Sequence, residues 1–169
     1  MIVVKEVSDK LEYEIILNML YEYIIELSNM YSRVFVRKPN ELAEEYFQVP
    51  DTKIFICYND IIPIGFCVVG YNDNCHELVD IYINEFYIKP LYRKQGFGRL
   101  FINDIINTMQ ANSICMFTLK ENINAERFWK SFFYNWLDAS KTYHYSSVVP
   151  EQLNWHVYIK VKKDFYNGH

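Results

Sequence analysis

The residues with the clearest chemical potential lie together in Arg93-Lys94-Gln95-Gly96-Phe97-Gly98. The stretch before them, from Ile81, alternates and is rich in aromatic and β-branched residues, which predicts a strand. The stretch after them carries Phe97, Leu100, Phe101, Ile105, Ile106 and Met109 at helical spacing. A strand that turns through glycines into a helix leaves free backbone N–H groups aimed at one spot, and such a helix start binds phosphate. Gly96 and Gly98 permit unusual φ and close backbone approach. Lys94 and Arg99 add positive charge there, or form no more than a solvated basic turn. The plain alternative for the whole stretch is a tight turn with no ligand.

Two common phosphate motifs are excluded. A P-loop needs G-x-x-x-x-G-K-[ST], which is absent, and the dinucleotide fingerprint needs a third glycine where Phe101 stands. Further along, Asn122, Ala125, Phe128 and Trp129 open another helical segment after a strand-like run. Taken together, Arg93-x-x-Gly96-x-Gly98 and Asn122-x-x-Ala125-x-x-Phe128-Trp129 resemble the two signature motifs of the GNAT superfamily of acyl-CoA N-acyltransferases. Pro90 and Tyr92 match the flanks of the first motif. The motif match is confined to about residues 80–134, while the element order resembles the family throughout.

The resemblance implies a coenzyme A site and acetyl-CoA as cosubstrate, with no metal. The N–H groups of Lys94, Gln95, Gly96, Phe97, Gly98 and Arg99, together with Arg93, would receive the pyrophosphate, supported by the helix dipole. In this family the central strand carries a β-bulge and splays from its neighbour. The pantetheine arm would then pair with the backbone of Phe86, Tyr87 and Ile88. A bulge leaves an N–H unpaired, and that N–H can hold a thioester carbonyl as charge develops. Asn122 would contact pantetheine or simply cap its helix. Phe128 would border the cofactor.

Acyl transfer to an amine of pKa near 10.4 requires a base, acting directly or through water. Glu85 is the first candidate, in Asn84-Glu85-Phe86 beside the implied bulge. A solvated strand-face carboxylate is the alternative, and Tyr82 or Asp80 could replace it. An acid is harder to find. Many family members carry a Tyr directly after the Phe of the second motif, but here that residue is Trp129. The usual Gly-Phe after this helix is also replaced, by Phe133-Tyr134. Tyr134, Tyr143 or Tyr145 could supply a phenol, or the thiolate leaves unassisted. This Phe-Trp variant looks most like uncharacterised bacterial acetyltransferases, a likeness that names no acceptor.

These residues must be positioned by their elements. Strands are predicted at 1–7, 53–58, 61–71, 76–89, 114–119, 136–149 and 154–162, and helices at 11–30, 39–47, from the 93–98 loop to about 111, and at 124–133. Ser8 or Asp9 caps the first helix, and Pro39 opens the second. The segment 31–38 lacks a period and would border the substrate pocket. Turns are expected at Asn59-Asp60 and Asn72-Asp73-Asn74, with Pro63 at a strand start or edge. The order β-α-α-β-β-β-α-β-α-β-β predicts an α/β (α+β) fold, a mixed sheet of about six to seven strands with helices on both faces. No repeat or linker interrupts it, so residues 1–169 read as one GNAT-like domain.

Bulk properties set the outer bounds. In 169 residues, 51% are apolar, which excludes disorder. A net charge of −4 argues against a nucleic-acid binder and suits an amine substrate. Cys57, Cys67, Cys75 and Cys115 form no C-x-x-C pair, and no histidine shows ligand spacing beside them, so a zinc site is not expected. Three of these cysteines lie in apolar runs, as buried thiols of a cytoplasmic protein do. No signal peptide and no apolar run of 18 residues is seen, so no membrane partner is expected. Trp155, Val157, Ile159 and Val161 share one face of a strand read as an edge, which could support a homodimer. The functional expectation is an N-acetyltransferase acting on a primary amine in a ternary complex; the alternative is a non-catalytic acyl-CoA-binding or interaction module on the same fold.

Overall fold

The computed structural model describes residues 1–30, 38–70, 79–141 and 151–161. Among the described residues, seven strands form a single sheet in the order β1-β2-β3-β4-β5-β7-β6. They are β1 (Ile2–Glu6), β2 (Lys53–Asn59), β3 (Ile62–Gly70), β4 (Ile81–Ile88), β5 (Ser113–Leu119), β6 (Leu137–Asp138) and β7 (Leu153–Ile159). Helices α1 (Lys10–Met30) and α2 (Pro39–Gln48) connect β1 to β2. Helix α3 (Phe97–Met109) joins β4 to β5, and α4 (Ile123–Phe132) follows β5. The fold is therefore the mixed α+β sheet expected from the element order.

Every neighbouring pair is antiparallel except β4 and β5. That parallel pair requires a crossover, which α3 supplies. Alternation along the strands divides the core in two. In β2, Phe55 and Cys57 face α3 and pack with Phe101, Ile102 and Ile105. Ile54 and Ile56 face the other way, onto Ile16, Met19 and Leu20 of α1.

Local sequence explains the helix ends. Asp9 Oδ1 accepts from the Glu12 N–H at 2.9 Å, and Glu12 Oε2 accepts from the Ser8 N–H at 2.7 Å, a reciprocal cap. Pro39 occupies the first turn of α2. Helix α3 ends at Met109 because Gln110 turns left-handed (φ 52°), two residues short of the predicted limit. The 59–60 turn is present, with Asp60 at φ 55°. Pro63 sits in β3 beside a register shift at Cys57/Tyr58, where an irregular ladder tolerates a residue without an N–H.

Two strand expectations change. β7 is not the sheet edge: β5 lines one side, and the short β6 pairs with its Tyr158 and Ile159 on the other. Of the predicted strand 136–149, only Leu137–Asp138 is strand among the described residues, and 142–150 lie outside them. The 72–74 turn, Cys75, the start of the predicted central strand and the 31–37 link also lie outside the described residues. Trp155, Val157 and Ile159 do share a face, packed with Tyr82 and Cys115.

Candidate active site

β4 is the strand on which the site is built. It pairs with β5 only through Ile81, Ile83 and the Tyr82 between them. Beyond Ile83, β4 runs on for five residues to Ile88 with no β5 partner, and the two strands part. Against β3, Val69 pairs with Ile83 but Val68 pairs with Glu85, so Asn84 is an extra, bulged residue.

The bulge resets which face each side chain occupies. Ile81 and Ile83 face α3, and so do Ile88 and Phe86 after the shift. Glu85, which would otherwise point with Ile81 and Ile83, is delivered to the α1/α2 face. There it accepts hydrogen bonds from Tyr23 Oη of α1 and Tyr46 Oη of α2, each at 2.6 Å. Both phenols are held protonated well above their usual range, first by burial and then by the Glu85 charge.

The backbone of the parted segment is also exposed to use. The Lys89 N–H donates to the Ile64 carbonyl at 2.8 Å, which fixes the antiparallel alternation. The N–H and C=O of Tyr87 and the Glu85 N–H therefore point to β3, while those of Phe86 and Ile88 point to the open side. The gap is a cleft of about 410 Å³. Its walls include Tyr23 and Tyr46 on one side, Glu85 and Phe86 along β4, and Met116, Asn122 and Trp129 on the other.

At the end of β4 a single 3₁₀ turn, Pro90–Tyr92, leads to the glycine loop. Lys94 (φ 60°) and Gly96 (φ 86°) are left-handed, and Gly96 forms the N-cap of α3. Arg99 and Leu100 donate to the Gly96 carbonyl, and Arg93 to that of Pro90. The N–H groups of Lys94 to Gly98 have no acceptor among the described residues. A Cβ on Gly96 would meet nothing within 4 Å, whereas one on Gly98 would stand 3.3 Å from the Phe128 ring. The loop is thus a set of converging donors at a helix start, beside a split strand.

The sequence profile of the Acetyltransferase (GNAT) family matches residues 20–134. The chain belongs to the GNAT acetyltransferase family. The general activity that follows is transfer of an acetyl group from acetyl-CoA. Solved structures share the fold at low identity. A GNAT-family acetyltransferase from Staphylococcus aureus aligns at 16% identity over 95% of this chain and 98% of that one, with a TM-score of 0.65. An acetyltransferase from Thermus thermophilus aligns at 11% identity over 92% and 96%, with a TM-score of 0.68. The PaiA N-acetyltransferase of Thermoplasma acidophilum, solved in complex with coenzyme A, aligns at 10% over 94% and 99%, with a TM-score of 0.61. A search of curated protein sequences returns no match.

Against this GNAT frame, the residues singled out in the sequence fall into groups. Glu85, Phe86 and Asn122 line the cleft. Asn122 caps α4 by accepting from the Ala125 N–H at 3.1 Å, so it is both cap and cleft wall. Phe128 stacks on Phe86, with centroids 5.6 Å apart, and lies under Gly98. Tyr87 shares the α1 face of β4 with Glu85 but does not line the cleft, its hydroxyl standing 3.3 Å from Glu22 of α1, and Ile88 is buried towards α3. Phe97 packs on Tyr92.

The cradle side chains are largely engaged. Arg93 forks onto Glu26, Gln95 donates to the Leu91 carbonyl, and Arg99 donates to the Ser131 carbonyl above the Phe132 ring. Lys94 is exposed. Tyr134 lies beyond the end of α4, 74% exposed, and does not line the cleft. Tyr143 and Tyr145 lie outside the described residues. Trp129 is buried against Phe86 and Phe133.

No sequence motif marks Tyr23, Tyr46 or Gly70. The tyrosines sit within helical stripes and resemble ordinary core residues. Gly70 faces the bulge, where a Cβ would stand 2.9 Å from Asn84 Nδ2. A glycine inside a predicted strand was the available signal. Among the described residues, no group of His, Cys, Asp and Glu could hold a metal ion, and no helix is long and apolar enough to cross a membrane.

Proposed function

We propose that this chain acetylates the nitrogen of a primary amine, on a small molecule or peptide, by direct attack in a ternary complex with acetyl-CoA. The observation that carries the reading is Glu85, delivered by the Asn84 bulge into the β4–β5 cleft and gripped by two phenols.

The chain fits the cosubstrate at both ends. The free N–H groups of Lys94 to Gly98 suit a pyrophosphate, and the left-handed Gly96 turn leaves its surroundings clear. The open edge offers the N–H and C=O of Phe86 and the N–H of Ile88 to an extended amide chain, as a missing strand would. Acetyl-CoA, when bound, supplies an activated acetyl thioester with a thiol as leaving group.

This chain's residues do the remaining work. Backbone N–H groups on the parted strand are placed to stabilise negative charge on an acyl oxygen. Tyr23 and Tyr46 hold the Glu85 carboxylate in one orientation, and Glu85 takes the proton from the incoming ammonium, through a water molecule where the distance requires it. Trp129 and Phe86 close the cleft on the α4 side and keep bulk water away. Trp129 has no proton to give at neutral pH, but a thiol of pKa about 8.5 can depart as the anion.

The decisive test is release of CoA across a panel of amines, with CoA binding followed separately by calorimetry. Glu85→Gln should lower turnover about a hundredfold while CoA affinity stays within about twofold. If no amine supports turnover, yet CoA binds and Glu85→Gln changes nothing, the chain is an acyl-CoA-binding module, the reading favoured by Trp129 at the usual phenol position.

A further inference from the structure

Arg93 stands where a cation would be expected to meet the pyrophosphate, but its side chain has other partners. Nη1 and Nη2 donate to the two oxygens of Glu26, each at 2.6 Å, and Nε donates to the Ile88 carbonyl at 2.7 Å. The guanidinium lies 5.6 Å from the Tyr87 ring centroid. One helical turn earlier, Glu22 lies 3.4 Å from Lys89 Nζ and accepts from Tyr87 Oη at 3.3 Å. Helix α1 thus presents two acids, four residues apart, to the end of β4.

We propose that Glu26 is a positioning residue of the cofactor site. Acting through Arg93, it holds the Ile88 carbonyl and the start of the cradle in the alignment that the pantetheine arm requires. The inference rests on the reading that Phe86 to Ile88 and Lys94 to Gly98 bind acetyl-CoA.

The geometry supports this in three ways. A planar guanidinium gripped at both Nη atoms has its Nε direction fixed as well, which a lysine could not achieve. The Ile88 carbonyl lies on the open side of β4, so Arg93 terminates that edge and leaves the Phe86 groups and the Ile88 N–H for the ligand. A carboxylate forked onto Arg93 also neutralises it, so the pyrophosphate is met by backbone N–H groups and Lys94 rather than by this guanidinium. Glu26 sits one turn from Tyr23, so the same helix orients Glu85 and Arg93.

The two possible roles of Arg93 predict opposite results. If Glu26 only sequesters a phosphate ligand, removing its charge frees Arg93 and tightens CoA binding. If Glu26 positions β4, its loss weakens binding, and it does so even for a ligand with no phosphate. The experiment measures CoA by calorimetry and pantetheine by NMR titration, for wild type, Glu26→Gln and Arg93→Lys. The expected result is about tenfold weaker binding of both ligands to both variants, the loss of a charged hydrogen-bond pair. Tighter or unchanged CoA binding by Glu26→Gln overturns the proposal. So does a loss confined to CoA with pantetheine unaffected, which would place Arg93 on the phosphates. Should Glu26→Gln fail to fold, Arg93→Lys, which keeps the charge and removes the fork, decides alone. Failure of the wild-type chain to bind CoA would sink the cradle reading and this inference together, an outcome distinct from a wild type that binds and a variant that binds equally well.

Discussion

Tyr46 Oη donates to Glu85 Oε1 and Tyr23 Oη to Glu85 Oε2, so one carboxylate ties α2 and α1 to β4 at the residue after the bulge. Two charge-assisted hydrogen bonds fix the carboxylate plane, and each is worth about 1.5–3 kcal/mol where water is excluded. Tyr46→Phe should therefore leave CoA affinity unchanged and lower turnover about tenfold, because the base is no longer held in one orientation. The Tyr23→Phe, Tyr46→Phe double variant should approach Glu85→Gln. A double variant as active as wild type would show that the two phenols do not orient the base.

The same phenols make an alkaline prediction. Burial, then Glu85, raises both their pKa values. In the unfolded chain each ionises near pH 10, while in the folded chain each keeps its proton. Above pH 10 the unfolded state thus binds fewer protons, and stability falls with rising pH by about 1.4 kcal/mol per pH unit for each phenol. Urea denaturation between pH 9 and 11 should show this slope in wild type and a shallower one in Tyr46→Phe. Equal slopes would mean that Tyr46 titrates freely in the folded protein.

What was legible in the sequence was local. The cradle is one contiguous strand–glycine–helix passage, and the Asn122 cap bonds a residue three positions on, so both could be read from neighbours in the chain. The bulge was not legible from β4 itself. Asn84 carries no glycine signal, and its extra place is defined by pairing with β3, where Gly70 makes room. The partners of Glu85 were hidden for a related reason: Tyr23 and Tyr46 lie 62 and 39 residues away, and nothing in a helical stripe says which member will meet a carboxylate. Arg93 matched the signature by identity, but Glu26, 67 residues distant, determines where its guanidinium goes. The sequence of β7 does not reveal its outer neighbour, because pairing with β6 depends on two residues, too few for a pattern.

The two cradle glycines should fail differently. Gly96 is left-handed with free space around it, so Gly96→Ala meets no clash but carries a backbone strain of about 1–2 kcal/mol. The loop is expected to relax and lose its converging N–H groups, weakening CoA about tenfold with little change in melting temperature. Gly98→Val adds bulk against the Phe128 ring, already 3.3 Å from a Cβ, and pushes at the Phe86–Phe128 stack. It should lower both CoA affinity and thermal stability. Calorimetry beside thermal melts separates the two, and wild-type affinity in both variants would refute the cradle.

A buried pair that joins β5 to β7 gives the acid-side prediction. Thr118 Oγ1 and His156 Nε2 lie 2.8 Å apart, both buried, with Thr118 on the cleft wall. Burial depresses the His156 pKa, assisted by Lys130, and outweighs the opposing pull of Glu126 and Asp138. A histidine depressed in the folded state contributes stability in full above its unfolded value, near 6.5, and loses it as pH falls from there through the folded value. Denaturant unfolding from pH 7.5 to 5 should therefore show falling stability in wild type and a flatter profile in His156→Gln, which keeps a partner for Thr118 but does not titrate. Thr118→Val leaves a buried ring nitrogen without its partner and should cost about 1–3 kcal/mol at neutral pH. If His156→Gln shows the same acid slope as wild type, the loss arises from other groups and His156 is not the residue that titrates.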